Sequence, residues 1–245
     1  MNVWAISDLH LSFGRPEPRH RFAERWRDHA ASIERGWRAV VRPGDVVLLP
    51  GDLSMARNHR ELQPDLEWLG ALPGTKVLAP GNHDRWWNTT DAVRRLLRRS
   101  MVAVGGDAAE VQGLIVCGTR GAPVPADDHP TDADQIAAER ELALLDRALE
   151  QAAGLREVSG LPRPIYVLWH FPPFDSGGRP GPCAERLERA RVAACVYGHL
   201  HIEAQWSLSV QGVVRGVRYH CVAADAVGFQ PLRIGSLPHA SHPRR

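Results

Sequence analysis

Asp8-Leu9-His10 closes the first apolar run of the chain, and similar clusters close four later ones. Gly51-Asp52 ends the second run and Gly81-Asn82-His83-Asp84 the third, while two further runs lead into His170 and into Gly198-His199-Leu200-His201. These side chains are nitrogen and oxygen donors with no thiolate among them, a set suited to Mn, Fe or Zn more than to a purely hard-oxygen ion such as Ca. Two such ions about 3.5–4 Å apart can bind a phosphate, generate hydroxide near neutral pH and neutralise developing charge. One Asp or His after a strand is ordinarily a turn former or a cap. Five clusters in order, each at the end of an apolar run, exceed what turn chemistry supplies. They also sit where open α/β sheets place their ligands, just past the carboxyl ends of the strands.

The elements that must carry them follow from periodicity. Short runs rich in β-branched residues predict strands over Asn2 to Ile6, Asp45 to Leu49, Lys76 to Ala79, Met101 to Val104, Leu114 to Gly118, Ile165 to Trp169 and Ala194 to Tyr197. Val210 to Val214 and Val217 to Val222 read as a hairpin. Between them, Phe22, Trp26, Ala30, Ile33, Trp37 and Val40 recur at helical spacing, which predicts a helix over His20 to Val41. Helices are also expected over Glu61 to Leu72, Asp91 to Arg99, Asp132 to Ala153 and Ala184 to Ala193. Strands alternating with helices define a layered α/β domain. Residues 1–235 read as one domain, with 236–245 as a flexible tail poor in apolar residues.

Composition narrows the class. The 245 residues are 44% hydrophobic and 24% charged with a formal charge of +2, too balanced for a dedicated duplex-DNA binder. Lys76 is the only lysine beside many arginines, which also suit phosphate recognition. Cys117, Cys183, Cys195 and Cys221 lie far apart without a CxxC pair, as reduced thiols of a cytosolic enzyme do. No secretory leader and no membrane-length apolar run is visible, so a cytoplasmic location without membrane contact is expected.

The ordered motifs D-x-H, G-D, G-N-H-D, H and G-H-x-H resemble the signature of the calcineurin-like metallophosphoesterases, spanning Asp8 to His201. Ser7 to Ser12, Cys117-Gly118-Thr119-Arg120 and the Tyr219-His220 region are similar to the bacterial Icc-type phosphohydrolases in particular. The resemblance implies a four-layer metallophosphoesterase fold, two mixed β-sheets in a sandwich flanked by α-helices. It also implies two divalent or trivalent transition metal ions. Asp8, His10 and His201 would hold one, Asn82, His170 and His199 the other, and Asp52 would bridge them. A metal-bridged hydroxide would then attack phosphorus, with His83 assisting the leaving group and Asp84 fixing the His83 imidazole. Gly51, Gly81 and Gly198 would let backbone turn sharply or approach the metals. One departure stands out: Gly121 precedes Ala122-Pro123-Val124 where the look-alikes carry a tryptophan, so their substrates do not transfer.

Arg85 and Arg120 are candidate contacts to substrate phosphate, each balanced against a plain solvent-exposed reading. Trp86 and Trp87 can stack a substrate ring or pack over the sheet, the latter for at least one of them. Arg94, Arg95, Arg98 and Arg99 read as a solvated helix end rather than a nucleic-acid patch. Asp45 reads as a turn residue, and His220 as a histidine to watch. The expected activity is hydrolysis of a small-molecule phosphodiester or phosphomonoester, with diesters favoured. The alternatives are a non-catalytic metal-binding scaffold of the same fold and a pyrophosphate hydrolase acting on a nucleotide or lipid precursor. Gly118 to Pro130 and Pro172 to Pro182 are the loops expected to choose the substrate.

Overall fold

Val46, Val47, Leu48 and Leu49 form a strand with no polar face, and all four are buried. Successive side chains of a strand point to opposite faces, so such a run needs an apolar layer on each side. Both layers exist. Val47 and Leu49 pack with Ile33, Trp37, Leu62 and Leu69 from helices, whereas Val46 and Leu48 pack with Val116, Leu168 and Val196 from a second sheet. In that second sheet the strand Ile165–Trp169 behaves the same way: Tyr166 and Leu168 face the first sheet, while Ile165, Val167 and Trp169 face other helices.

The structure is a computed structural model that describes residues 1–15, 24–124 and 131–237. In chain order it contains β1 (Asn2–Ala5), α1 (His29–Val40), β2 (Val46–Pro50), α2 (His59–Ala71), β3 (Thr75–Ala79), α3 (Thr90–Arg94), β4 (Met101–Ala103) and β5 (Asp107–Val111). It continues with β6 (Leu114–Thr119), α4 (Asp132–Ser159), β7 (Ile165–Trp169), α5 (Pro182–Ala190), β8 (Ala194–Tyr197), α6 (Glu203–Trp206), β9 (Gly212–Val214), β10 (Val217–Cys221) and β11 (Leu232–Ser236). The first sheet has the order β11-β1-β2-β3-β4 and the second β5-β6-β7-β8-β10-β9. Each has a parallel centre; β11 edges the first sheet antiparallel to β1 while β4 edges it parallel to β3, and β5 and β9 edge the second antiparallel to β6 and β10. The layers are therefore helices α1–α3, sheet, sheet, and helices α4 and α5, the two mixed sheets flanked by helices that the motifs implied.

Several boundaries differ from the sequence expectation. α1 begins at His29 after a short 3-10 turn at Glu24–Trp26, and the start of the helix expected from His20 lies outside the described residues. α3 stops at Arg94, well short of Arg99; Arg94 turns inward to donate to the Ala103 carbonyl and to pair with Asp107. α4 runs on to Ser159 and ends at Gly160, whose φ of 63° is a left-handed cap. Its last turns carry no apolar stripe, so periodicity did not show them. Two edge strands were missed. β5 (Asp-Ala-Ala-Glu-Val) is poor in strand-forming residues, and β11 is largely exposed. β11 includes Ser236, and the Leu237 N–H donates to the Met1 carbonyl, so pairing continues into the stretch assigned to the tail.

Two buried charges hold the framework. Asp45 does serve the turn before β2, accepting from the backbone N–H of Asn2 and Arg42 and from Trp4 Nε1. Lys76, wholly buried at the start of β3, donates to the carbonyls of Leu72 and Gly74 just past α2. A cation suits the negative end of that helix. Burial nonetheless lowers its pKa to about 8. All four cysteines are buried free thiols. No helix among the described residues is long and apolar enough to cross a membrane.

Candidate metal centre

β1, β2 and β3 are parallel, so the segments after them emerge side by side at one end of the first sheet. β7 and β8 emerge alongside in the second sheet. The backbone there bends in a way most residues avoid: Asp8, His10, Asp52 and His199 have φ of 58°, 43°, 52° and 71°. Left-handed non-glycine residues cost roughly 1–3 kcal/mol each and cluster at functional sites. Here the bend turns four donor side chains off the strand axes into one space. Close approach also dictates two glycines. A Cβ on Gly81 would lie 2.2 Å from Asp52 Oδ1, and one on Gly198 would lie 2.0 Å from Asp8 Oδ2.

The donors converge in two overlapping groups. Donor atoms of Asp8, His10 and His201 lie within 4.8 Å of one another, as do those of Asp8, Asp52 and His170. His10 Nε2 is 3.1 Å from His201 Nε2, and His201 Nε2 is 3.4 Å from Asp8 Oδ1. On the other side, Asn82 Oδ1 is 2.8 Å from His170 Nε2 and 3.1 Å from His199 Nδ1. Asp52 Oδ2 faces both groups, 3.8 Å from His10 Nε2 and 3.5 Å from His170 Nε2. All seven predicted ligands are thus brought together, with Asn82 contributing its side-chain amide oxygen to the convergence.

Neighbouring groups fix how these donors point. His170, fully buried, donates from Nδ1 to the Pro50 carbonyl at 3.0 Å, which leaves the Nε2 lone pair for a metal. Asp52 Oδ1 accepts the His83 N–H at 2.7 Å, keeping Oδ2 for the centre. Asp8 accepts the His199 N–H and the Ser7 hydroxyl. The electrostatics suit cations as well. Burial pushes the Asp52 carboxyl up to about 8, reinforced by the negative charge of Asp8. Burial would raise Asp8 too, but its hydrogen bond with His201 and the adjacent His170 and His10 hold it well below the usual range. Burial lowers His10, and it lowers His199 to about 4, helped by the nearby His170. His10 and His199 are thus kept neutral beside two crowded carboxylates, which suits them to transition-metal ions.

His83 is half-buried, its ring edge-on to His10 at 5.4 Å between centroids. Among the described residues the hydrogen bonds of Asp84 go elsewhere than to that imidazole. Its oxygens accept from the backbone N–H of Leu53, Ser54 and Gly81 and from Trp86 Nε1, so it ties the segment after β2 to the one after β3. A buried carboxylate is driven to satisfy its lone pairs with the nearest donors, and here those are main-chain amides. Burial still lifts it to about 7, with Asp52 adding to the shift. Trp86 is buried in the core, whereas Trp87 is half-buried at the site's edge. Arg85 is exposed, and Arg120 pairs with Glu141 at 3.2 Å. His220 lies on β10, opposite Val196, and belongs to neither donor group.

Asp225 was not anticipated. It is buried, accepts from Arg25 at 3.0 Å, and places Oδ1 3.5 Å from His201 Nδ1. With Asp8 it raises His201 to about 10, against the effect of burial. The available signal was an acid inside the apolar run Val222 to Val227, after a strand like the other motifs. Trp26 and Phe171 were missed as well. Trp26 lies 5.9 Å from the His10 ring and 5.5 Å from that of His201, and Phe171 lies 4.4 Å from His199.

A sandwich of two mixed sheets with a carboxylate, imidazole and amide cluster at its strand ends is the architecture of a metal-dependent phosphoesterase. Residues 1–203 match the Calcineurin-like phosphoesterase family, and the chain belongs to it. It is 34% identical over 83 residues to the Gene 66 protein of Mycobacterium phage L5, covering 34% of this chain and 40% of that protein. The chain thus spans less than half of that relative's length. Its fold is similar to that of Phosphopantetheinyl Hydrolase (PptH) from Mycobacterium tuberculosis, with 18% identity, a TM-score of 0.50 and coverage of 91% and 88% of the two chains. The protein of unknown function AQ665 from Aquifex aeolicus aligns with 15% identity and a TM-score of 0.42 over 94% of each chain.

Proposed function

We propose that the chain is a dinuclear phosphoesterase for small molecules that favours diesters over monoesters. The position of Asp52 carries this reading: one oxygen faces His10 on one side and His170 on the other. Asp8, His10 and His201 would hold one ion, and Asn82, His170 and His199 the other, with Asp52 between. Such ions supply Lewis-acid charge and an activated water. The chain's own part is to orient and to move protons. Asp52 and His83 are linked by the His83 N–H, so the imidazole is carried on the same loop that abuts the ligand cluster. From there His83 hydrogen-bonds the phosphate and passes an imidazole proton to the departing oxygen. The preference for diesters rests on analogy with small single-domain bacterial relatives.

The test is hydrolysis of bis-p-nitrophenyl phosphate beside p-nitrophenyl phosphate by metal-stripped protein reloaded in turn with Mn, Fe, Zn or Mg. Metal-dependent turnover is expected, with the diester cut faster. His83→Ala should lower kcat by about 10²–10⁴-fold with metal content intact. Asp52→Asn should lose both turnover and the second ion. Two bound ions without turnover would point to the scaffold alternative, and no metal binding would end the dinuclear reading.

A further inference from the structure

A cleft of about 440 Å³ adjoins the ligand cluster, sharing Gly81 and Asn82 as a wall. Three arginines from distant parts of the chain line it: Arg85 after β3, Arg120 after β6 and Arg140 on α4. Arg120 is fixed in place. Its guanidinium pairs with Glu141 Oε1, while Glu141 Oε2 accepts from the Thr119 hydroxyl at 2.6 Å and the Gly121 N–H at 3.1 Å. The Arg120 Nε is buried without a hydrogen-bond partner among the described residues. Arg85 and Arg140 are exposed and form no ion pair among the described residues. The carboxylates lining the cleft are Glu141, given to Arg120 and the adjacent turn, and Asp84, enclosed by N–H donors. The cleft is left with a positive surplus beside a phosphate-handling centre.

We propose that this cleft receives a second phosphate carried on the organic part of the substrate. The inference rests on the phosphoesterase reading above and narrows its substrate class. A phosphate monoester bears about −1.5 to −2 charge near neutral pH, which matches the surplus. Guanidinium forks bind phosphate through paired, charge-assisted hydrogen bonds, which gives direction as well as attraction. Trp87 and Leu144 line the same cleft and offer apolar surface to the body joining the two phosphates. Arginines are common on this surface. What distinguishes these three is that their concavity adjoins the ligand cluster, with one of them held by a buried glutamate.

Two chromogenic diesters separate the outcomes: the p-nitrophenyl ester of thymidine 5′-phosphate, with and without a 3′-phosphate. Both release the same leaving group from the same type of bond. The metal-loaded protein is expected to show kcat/KM about tenfold or more higher for the 3′-phosphorylated ester, mostly through KM. The double variant Arg85→Gln/Arg140→Gln should erase that ratio, and each single variant should lower it severalfold. Equal kcat/KM for the two esters, or an unchanged ratio in the double variant, overturns the cleft's role. So does turnover confined to bis-p-nitrophenyl phosphate and p-nitrophenyl phosphate. Absence of turnover on all four compounds would instead overturn the phosphoesterase reading on which the inference rests.

Discussion

The segments after β1, β2 and β3 are tied together by buried carboxylates bonded to main-chain amides, whereas the His199 and His201 rings after β8 lean on other side chains. On the first side Asp84 joins Leu53, Ser54 and Gly81, and Asp65 accepts from the Phe13 N–H and the Ser54 hydroxyl. Asp8, His10 and Asp52 are at most 4% exposed. On the second side His170 is equally buried, but His199 and His201 are half-buried. Their support comes from Phe171, Trp26 and Asp225. Main-chain bracing fixes a loop's path, whereas side-chain bracing fixes one ring. The first sheet therefore presents a half-site braced through its main chain, and His199 and His201 complete it with rings that can be disturbed one at a time.

Removing the main-chain brace should have the largest effect. Asp84→Ala strips one acceptor from four buried donors, and a loss of about 3 kcal/mol is expected in urea unfolding. A loss under about 1 kcal/mol would show that the two segments hold their paths without Asp84. The side-chain brace should be separable from stability. Asp225→Asn is expected to weaken metal binding about 10–100-fold, read by competition with a chelator, while unfolding changes little. An unchanged affinity would mean that Asp225 does not orient His201.

The smallest effect concerns the opposite end of the first sheet, where Lys76 is buried at the start of β3. Being the only lysine, it gives a single side-chain signal in a protein labelled at lysine. That signal should titrate near pH 8. The sign follows from the lowered value. Between about pH 8 and the unfolded value of roughly 10.4, the folded state binds fewer protons, so stability should rise with pH across that window. A midpoint near 10.4 would show that the charge is solvated and that burial at this end is incomplete.

The converging side chains were legible because each follows a strand whose apolar character is unmistakable in the chain. β2 and β7 read clearly for the same reason, being buried on both faces. β5 and β11 did not, because edge strands need little apolar character. Adjacency in sequence suggested His83 as the partner of Asp84, whereas its hydrogen bonds go to Leu53, Ser54, Gly81 and Trp86, which are set by the packing of two loops.

By itself the sequence determined the family, the layered α/β class and which seven side chains converge at the strand ends, since strand periodicity and donor type are local properties. The tertiary structure decided which residues stand behind those donors. Arg25 and Asp225 are 200 positions apart, and His10 and His201 are 191 apart. Arg140 shows no motif, yet α4 carries it to the same cleft as Arg85 and Arg120. Such meetings follow from the packing of one sheet on the other and of helices on each, and packing joins residues whose spacing along the chain carries no periodic signal.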